Sequence, residues 1–152
     1  MNERDTPTKG SIYLEQRMEA PAPKVTAYVG DFQNAKEWMV GVESVERLSE
    51  DSYRLVLESP VGRLEPEVRM LEHDDGRIRW VYTSIVEGGG EITVAPAGAE
   101  GSSCIVYYSG EFSLKSRALD RAARLVGIDR FARRNGERSL SRLKYLMEAR
   151  RY

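Results

Sequence analysis

The sequence is poorest in the residues that build disulfides and metal sites, with one cysteine and one histidine among 152 residues. Cys104 has no partner for an internal disulfide, and one Cys with one His makes a Cys/His zinc site implausible. Disulfide scaffolds and metal chemistry are set aside on that ground. Long apolar runs are missing too. No stretch reaches the ~18 residues of a membrane-spanning helix. The opening MNERDTPTKG is charged and rich in turn formers, without the apolar stretch of a secretory signal, so a cytoplasmic protein is expected.

What the chain does contain is the balance of a folded domain, with 41% hydrophobic and 31% charged residues. That mix rules out a disordered chain. The length predicts one domain over residues 11–152, preceded by a loose arm over residues 1–10. A net charge of −1 conceals a segregation. Residues 1–114 carry 11 Lys and Arg against 20 Asp and Glu, a net of −9, whereas residues 115–152 carry 12 against 4, a net of +8. A basic segment on an acidic body suits an anionic membrane surface or an acidic partner. Apolar residues recur through the same segment at helical spacing, which favours the plainer reading of a solvated, arginine-rich helix face.

From Ser11, the residues Ile12, Leu14, Gln16 and Met18 alternate with Tyr13, Glu15, Arg17 and Glu19, which predicts a half-buried strand. Ala20-Pro21-Ala22-Pro23 ends it, because proline offers no ladder hydrogen bond, and Pro23 suits the first turn of a helix. Val25, Tyr28, Val29 and Phe32 then form one helical face. Asn34 can cap a second short helix carrying Trp38 and Met39, closed by Gly41. Six strands are predicted next, over Val42–Ser49, Tyr53–Ser59, Arg63–Glu72, Arg77–Ile85, Gly90–Ala95 and Ser103–Leu114. Their short separators, among them Gly88-Gly89 and the turn Asp74-Asp75-Gly76, suit an antiparallel meander. Pro66 inside the third run demands an edge or a bulge.

From Lys115 and Ser116 the period becomes helical. Leu119, Ala122, Ala123 and Val126 come first, Gly127 interrupts, and Ala132, Gly136, Leu140, Leu143 and Met147 continue. Gly136 in that stripe costs about 1 kcal/mol against Ala, which points to close approach of something beneath it. One antiparallel sheet with helices on one face, an α+β domain, is the economical packing.

Glu19-Ala20-Pro21-Ala22-Pro23-Lys24-Val25, then Asp31-Phe32, Trp38, Gly41-Val42 and Val45-Glu46-Arg47-Leu48, resembles the opening of the START/Bet-v-1-like (SRPBCC) superfamily. The resemblance is to its polyketide cyclase/dehydrase and lipid-transport branch, and it extends over about residues 11–148. It implies a helix-grip fold, in which a curved seven-stranded antiparallel sheet wraps a long C-terminal helix and two short helices close one end. It also implies a cavity between sheet and helix in which relatives hold lipids, sterols, quinones or polyketides. Activity does not follow, since the superfamily includes carriers, aromatase/cyclases, co-chaperones and accessory proteins of carbon monoxide dehydrogenase.

On that frame the inward strand positions include Leu55, Leu57, Val68, Met70, Ile78, Trp80, Tyr82, Ile92, Val94, Val106, Tyr108 and Phe112. Trp38 and the stripe Gly136, Leu140, Leu143 and Met147 face them. Most of these residues fill a core wherever they occur. The cavity-lining candidates are Trp38, Leu55, Leu57, Met70, Trp80, Tyr82, Ile92, Tyr108, Phe112, Gly136 and Leu140. Tyr82 and Tyr108 stand out, because a buried phenol needs a hydrogen-bond partner and can orient a polar group amid apolar walls.

Other features carry less. Gly88-Gly89-Gly90 lacks the Lys-Ser/Thr and the strand-to-helix setting of a phosphate loop and reads as a hairpin or bulge, at most a gate beside the cavity. No cofactor is expected. His73 reads as a solvated turn residue, Asp74 and Asp75 as turn formers, Cys104 as a small buried hydrophobe. Glu65, Glu67 and Arg69 should face solvent unless Pro66 shifts the register. Cyclases of the superfamily are thought to anchor a polyketone with Arg, His or Tyr, and only tyrosines fall on the predicted inner face here.

Three functions are weighed. The first is a non-catalytic binder of a hydrophobic small molecule such as a lipid, quinone or polyketide-like metabolite. The second is a polyketide cyclase/dehydratase-type enzyme with Tyr82 or Tyr108 as proton relay, which inward Arg or Glu residues would favour. The third is an accessory protein docking its basic helix on an anionic membrane or acidic partner. Nucleic acid is not expected as a partner, because the arginines lack interleaved aromatics or a recognised motif.

Overall fold

The alternation at the start of the chain becomes strand β1, Gly10–Met18, in the computed structural model, which describes residues 10–74 and 76–149. Most of the expected N-terminal arm, Asp75 of the expected turn, and residues 150–152 lie outside the described residues. Gly10 does not belong to an arm, because it pairs with Phe112 as part of β1. Pro21 then takes the extended cap position, and Pro23 sits in the first turn of helix α1, Ala22–Gly30. A missing N–H does no harm there.

Asp31 caps a single 3-10 turn, Phe32–Asn34, by accepting from the Gln33 N–H at 3.2 Å, and α2, Ala35–Trp38, follows. Phe32 therefore belongs to that turn and not to the face of α1. Asn34 makes no side-chain cap. Its Nδ2 donates to the Tyr28 carbonyl at 2.9 Å instead.

The sheet comprises β2 (Val42–Arg47), β3 (Ser52–Ser59), β4 (Gly62–Leu64), β5 (Glu67–Asp74), β6 (Arg77–Tyr82), β7 (Val86–Ala97) and β8 (Ser103–Leu114) with β1. Its order is β1-β8-β7-β6-β5-β3-β2, seven antiparallel strands, with short β4 pairing to β3 off that path. Two elements differ from the sequence reading. The run Arg63–Glu72 is split into β4 and β5 at Pro66, which is buried between them and whose carbonyl accepts from the Leu55 N–H at 2.9 Å. Proline cannot donate to continue the ladder.

The second difference is the β6–β7 turn, which falls at residues 83–85 and not at Gly88-Gly89. Gly88, Gly89 and Gly90 are inside β7, paired with Phe112, Glu111 and Gly110 of β8. Gly90 also sits opposite Trp80 of β6, whose ring takes the room a side chain would need. A Cβ at Gly90 would lie 2.6 Å from Trp80 Cε2. Gly90 makes a seat for the indole, Gly88 and Gly89 lie close against neighbouring backbone, and no glycine loop is left to serve as a gate.

After β8, Ser116 accepts from the Leu119 N–H at 3.2 Å and caps α3, Arg117–Leu125. Gly127, at φ +82, takes the left-handed conformation that ends it, and α4 runs from Ile128 to Ala149. The interruption at Gly127 thus separates two helices. Of the apolar residues expected on the face of α3, only Ala123 is buried, while Ala122 and Val126 face solvent. On α4 the stripe Gly136, Leu140, Leu143 and Met147 is buried.

α4 packs along β1, and a Cβ on Gly136 would lie 2.7 Å from Leu14 Cδ1, so the glycine is the point of closest approach. α1 covers β7 and β8 at the other end. The main core gathers Met18, Val25, Val68, Ile78, Ile92, Val106 and Leu143, all fully buried. A second cluster of Val86, Leu114, Ala123 and Ile128 meets Val61 and Leu64 of the β3–β4 hairpin. No helix among the described residues is long and apolar enough to cross a membrane.

Candidate functional site

Because α4 lies along β1, the far side of the curved sheet stands clear of it. The gap is a cavity of about 180 Å³ between sheet and helix. Nine of the eleven candidate residues line it: Trp38, Leu55, Leu57, Trp80, Tyr82, Tyr108, Phe112, Gly136 and Leu140. Met70 and Ile92 do not. Both lie toward the α1 end, where Ile92 is buried between Ile78 and Tyr108 on neighbouring strands, and Met70 packs at the margin of the main core beside a bulge in β5. Strand alternation places a side chain on a face and says nothing of its position along the groove.

Aromatic rings make one wall. Trp80 of β6 stacks on Tyr108 of β8 with centroids 6.3 Å apart and planes 19° from parallel. Phe32 tilts against Trp80 at 5.8 Å and against Tyr53 at 5.3 Å. Offset and tilted pairs of this kind hold ring orientation beyond simple burial. The glycine seat at position 90 is what lets the indole reach this geometry.

The polar groups on the sheet side include two phenols, Tyr82 and Tyr108. Burial pushes the Tyr82 hydroxyl up from its ordinary value, and the Trp80 indole beside it works weakly the other way. Burial also pushes Tyr108 well above the usual phenol range, with Tyr82 adding to the effect. Both are protonated at neutral pH and are able to donate a hydrogen bond. Among the described residues, no Lys, Arg or His lines the cavity. The one charged group is Glu58, an exposed residue on the β3 side. Glu43 beside it pushes the Glu58 carboxyl up, while Arg63 holds Glu43 at 3.1 Å.

Several lining residues were not among the candidates. Phe32 was hidden by its assignment to a helix face. Ser139 and Asn135 precede Leu140 and Gly136 of the apolar stripe by one position each, and that spacing was the available signal. Ser139 accepts from the Val40 N–H at 2.8 Å and donates to the Asn135 carbonyl at 2.6 Å, tying the chain between α2 and β2 to α4. The helix and the α2 end of the cavity are thereby held together.

The remaining sequence candidates lie elsewhere. His73 is exposed near the end of β5, its imidazole against Gly30 of α1, and so packs on a helix end and is not free in a turn. Cys104 is fully buried. Glu65 and Arg69 are exposed, and Glu67 pairs with Arg54 at 3.3 Å. None of these five residues lines the cavity. Among the described residues no group of three or more His, Cys, Asp or Glu is placed to hold a metal ion.

A curved antiparallel sheet that grips a C-terminal helix above an apolar cavity defines the helix-grip class of the START superfamily. The family described as polyketide cyclase/dehydrase and lipid transport matches residues 9–148, and the chain belongs to that family. Comparison with curated protein sequences gives no match. Among solved structures, the Zhui aromatase/cyclase of a Streptomyces species is similar over 94% of this chain and 96% of its own, at 17% identity and a TM-score of 0.76. A Thermus thermophilus protein is similar over 93% and 99%, at 17% identity and a TM-score of 0.78. A START superfamily protein from Mycobacterium smegmatis aligns over 91% and 97%, at 14% identity and a TM-score of 0.72. Identities this low establish a common fold.

Proposed function

We propose that the protein binds one small, uncharged, hydrophobic molecule in the cavity, with Tyr82 and Tyr108 donating hydrogen bonds to an oxygen acceptor on it. The observation that carries this reading is an apolar cavity whose inner polar groups include two buried phenols. The absence of a cation among the described lining residues disfavours a buried carboxylate or phosphate, whose desolvation would go uncompensated. A carbonyl-bearing ring compound, of the quinone or polyketide-like kind, satisfies the phenols without that penalty. The family's description, which covers lipid transport as well as polyketide cyclisation, supports this ligand class.

A cavity of about 150 Å³ accommodates a benzene ring, so this one, at about 180 Å³, holds a single substituted ring as it stands. Burying about 200 Å² of ligand surface at ~25 cal/mol per Å² contributes about 5 kcal/mol before the cost of ordering. Each phenol hydrogen bond adds about 0.5–1.5 kcal/mol. A protonated phenol donates a hydrogen bond to a carbonyl oxygen, the contact this ligand class offers.

Native mass spectrometry of the purified protein, followed by organic extraction, tests the proposal. A stoichiometric neutral adduct is expected. It should be retained less by Tyr82→Phe and Tyr108→Phe, each weakening binding about two- to tenfold, and excluded by Leu57→Trp, which fills the cavity. A protein that carries no adduct and binds no member of a panel of quinones and lipids would overturn it.

A further inference from the structure

Leu125 and Val126, at the corner where α3 turns into α4, are 82% and 58% exposed. Leu125 is the most exposed large hydrophobic residue among those described. Two adjacent apolar side chains at a convex corner contribute little to the core, and Gly127 in the left-handed conformation fixes the corner that presents them. Their surroundings are cationic. Arg117 and Arg121 lie eight and four residues before Leu125, on the same face of α3. Arg130 and Arg134 follow on the first turns of α4, four residues apart, and all four arginines are exposed.

The acids of this segment are engaged elsewhere. Asp120 and Asp129 pair with Arg124 at 3.2 and 2.8 Å, Glu137 faces Arg133 at 3.8 Å, and Glu148 holds Lys144 at 2.7 Å. Among the described residues, none of the four arginines has a carboxylate within ion-pair distance. Four exposed arginines without a carboxylate partner among the described residues thus flank an apolar tip on the adjoining turns of α3 and α4. We propose that this corner docks on the surface of an anionic phospholipid bilayer, with Leu125 and Val126 entering the headgroup layer and the arginines binding lipid phosphates.

Charge complementarity and the apolar tip together select this occupant. A polyanion such as nucleic acid would use the arginines and leave Leu125 and Val126 without a role. Interfacial protein segments that lie on membranes combine basic residues with a few apolar side chains in this way. Ile128 and Phe131, one turn further along, belong to the cavity lining, so the docked corner would bring the cavity against the bilayer. The docking does not depend on the cavity being occupied.

The test is flotation of the full chain with vesicles of pure phosphatidylcholine and of phosphatidylcholine with one-third phosphatidylglycerol. Binding is expected to the anionic vesicles only, and it should fall steeply as salt is raised from ~0.1 to ~0.5 M. Arg121→Glu with Arg130→Glu should weaken it by more than about tenfold, since each arginine near the surface is worth roughly fivefold. Leu125→Ser with Val126→Ser should weaken it about tenfold while leaving the melting temperature unchanged, because both side chains are exposed. Leu57→Trp, which blocks the cavity, should bind vesicles like the parent chain, so failure of ligand binding and failure of docking are read separately. Absence of binding to anionic vesicles, or binding indifferent to either double substitution, would overturn the proposal. Capture of an acidic protein or a nucleic acid that depends on the arginines but not on Leu125 and Val126 would overturn it as well.

Discussion

Gly90→Ala adds one methyl group where the Trp80 ring already lies. The nearest ring atoms would be within 2.6 Å of the new carbon at Cε2 and nearer still at Cζ2, so the indole has to move. It is not a flexible chain end. Phe32 packs on it from one direction and Tyr108 stacks on it from another, and its exposure is 4%. Forced overpacking of this kind costs about 1–3 kcal/mol. Gly90 does not have a positive φ, so alanine also narrows the unfolded ensemble and returns about 0.4–1 kcal/mol. The net loss is about 1–2 kcal/mol, and at about 2–4 °C per kcal/mol for a chain of this size Tm should fall by about 2–8 °C.

Trp38 and Trp80 are the two tryptophans of the chain. In a Trp38→Phe background the emission therefore reports Trp80 alone, and Gly90→Ala should shift it to the red while lowering Tm. An unchanged melting temperature with unchanged emission would refute the seat. It would also restore Gly88–Gly90 as a hairpin turn, in which an added methyl meets nothing.

Other outcomes follow from single contacts. Leu143 is completely buried and lies outside the cavity lining, so Leu143→Ala should cost about 2–5 kcal/mol in denaturant unfolding without changing the ligand class extracted. The Ser103 hydroxyl at 2.9 Å and Arg17 at 3.0 Å hold the Glu19 carboxyl below its ordinary value. Its stabilising contribution is complete above the ordinary carboxylate pKa and is lost as pH falls through the lowered folded one. Glu19→Gln should accordingly flatten the acid limb of a Tm-against-pH profile and leave the limb near neutrality parallel. Burial, with the Glu19 carboxylate adding to it, pushes the Cys104 thiol up. Iodoacetamide should then fail to alkylate the native protein at pH about 8.5, where an exposed thiol is half ionised, and should label it rapidly in denaturant.

The order of elements was legible because each carries its own period. β1 alternates, α4 repeats its apolar residues every three or four positions, and Ser103–Leu114 was bounded correctly by its neighbours. What failed was residue meaning that depends on a partner across the sheet. Gly88-Gly89 has the composition of a turn, and only the neighbouring strands, whose backbone lies against Gly88 and Gly89 and whose indole lies against Gly90, show why side chains are missing there. Leu119, Ala122, Ala123 and Val126 have helical spacing, yet α3 covers little of the sheet, and Val126 is left outside. The candidate site was legible to the extent that alternation defines an inner face. Met70 and Ile92 share that face but sit beyond the cavity, because the position of a void depends on where α4 comes to rest. That is set by Gly136 against Leu14, a contact between segments more than a hundred residues apart.

The pairing of β1 with β8 has a consequence for how the chain comes into being. Gly10 finds Phe112 and Met18 finds Cys104, so the first strand of the sheet in chain order has its ladder partner in the last. On a ribosome, hairpins from β2 to β7 can close as they emerge, since each joins neighbours in the sequence. β1 must wait, its apolar side chains Ile12, Leu14 and Met18 without the helix that later covers them. Contacts that span so much chain form slowly and leave an unpaired edge exposed meanwhile. A nascent chain stalled before Leu114 should therefore be sensitive to protease in β1 and engage chaperones there. The cavity comes into existence only once α4 has been made and laid along the first strand of the sheet.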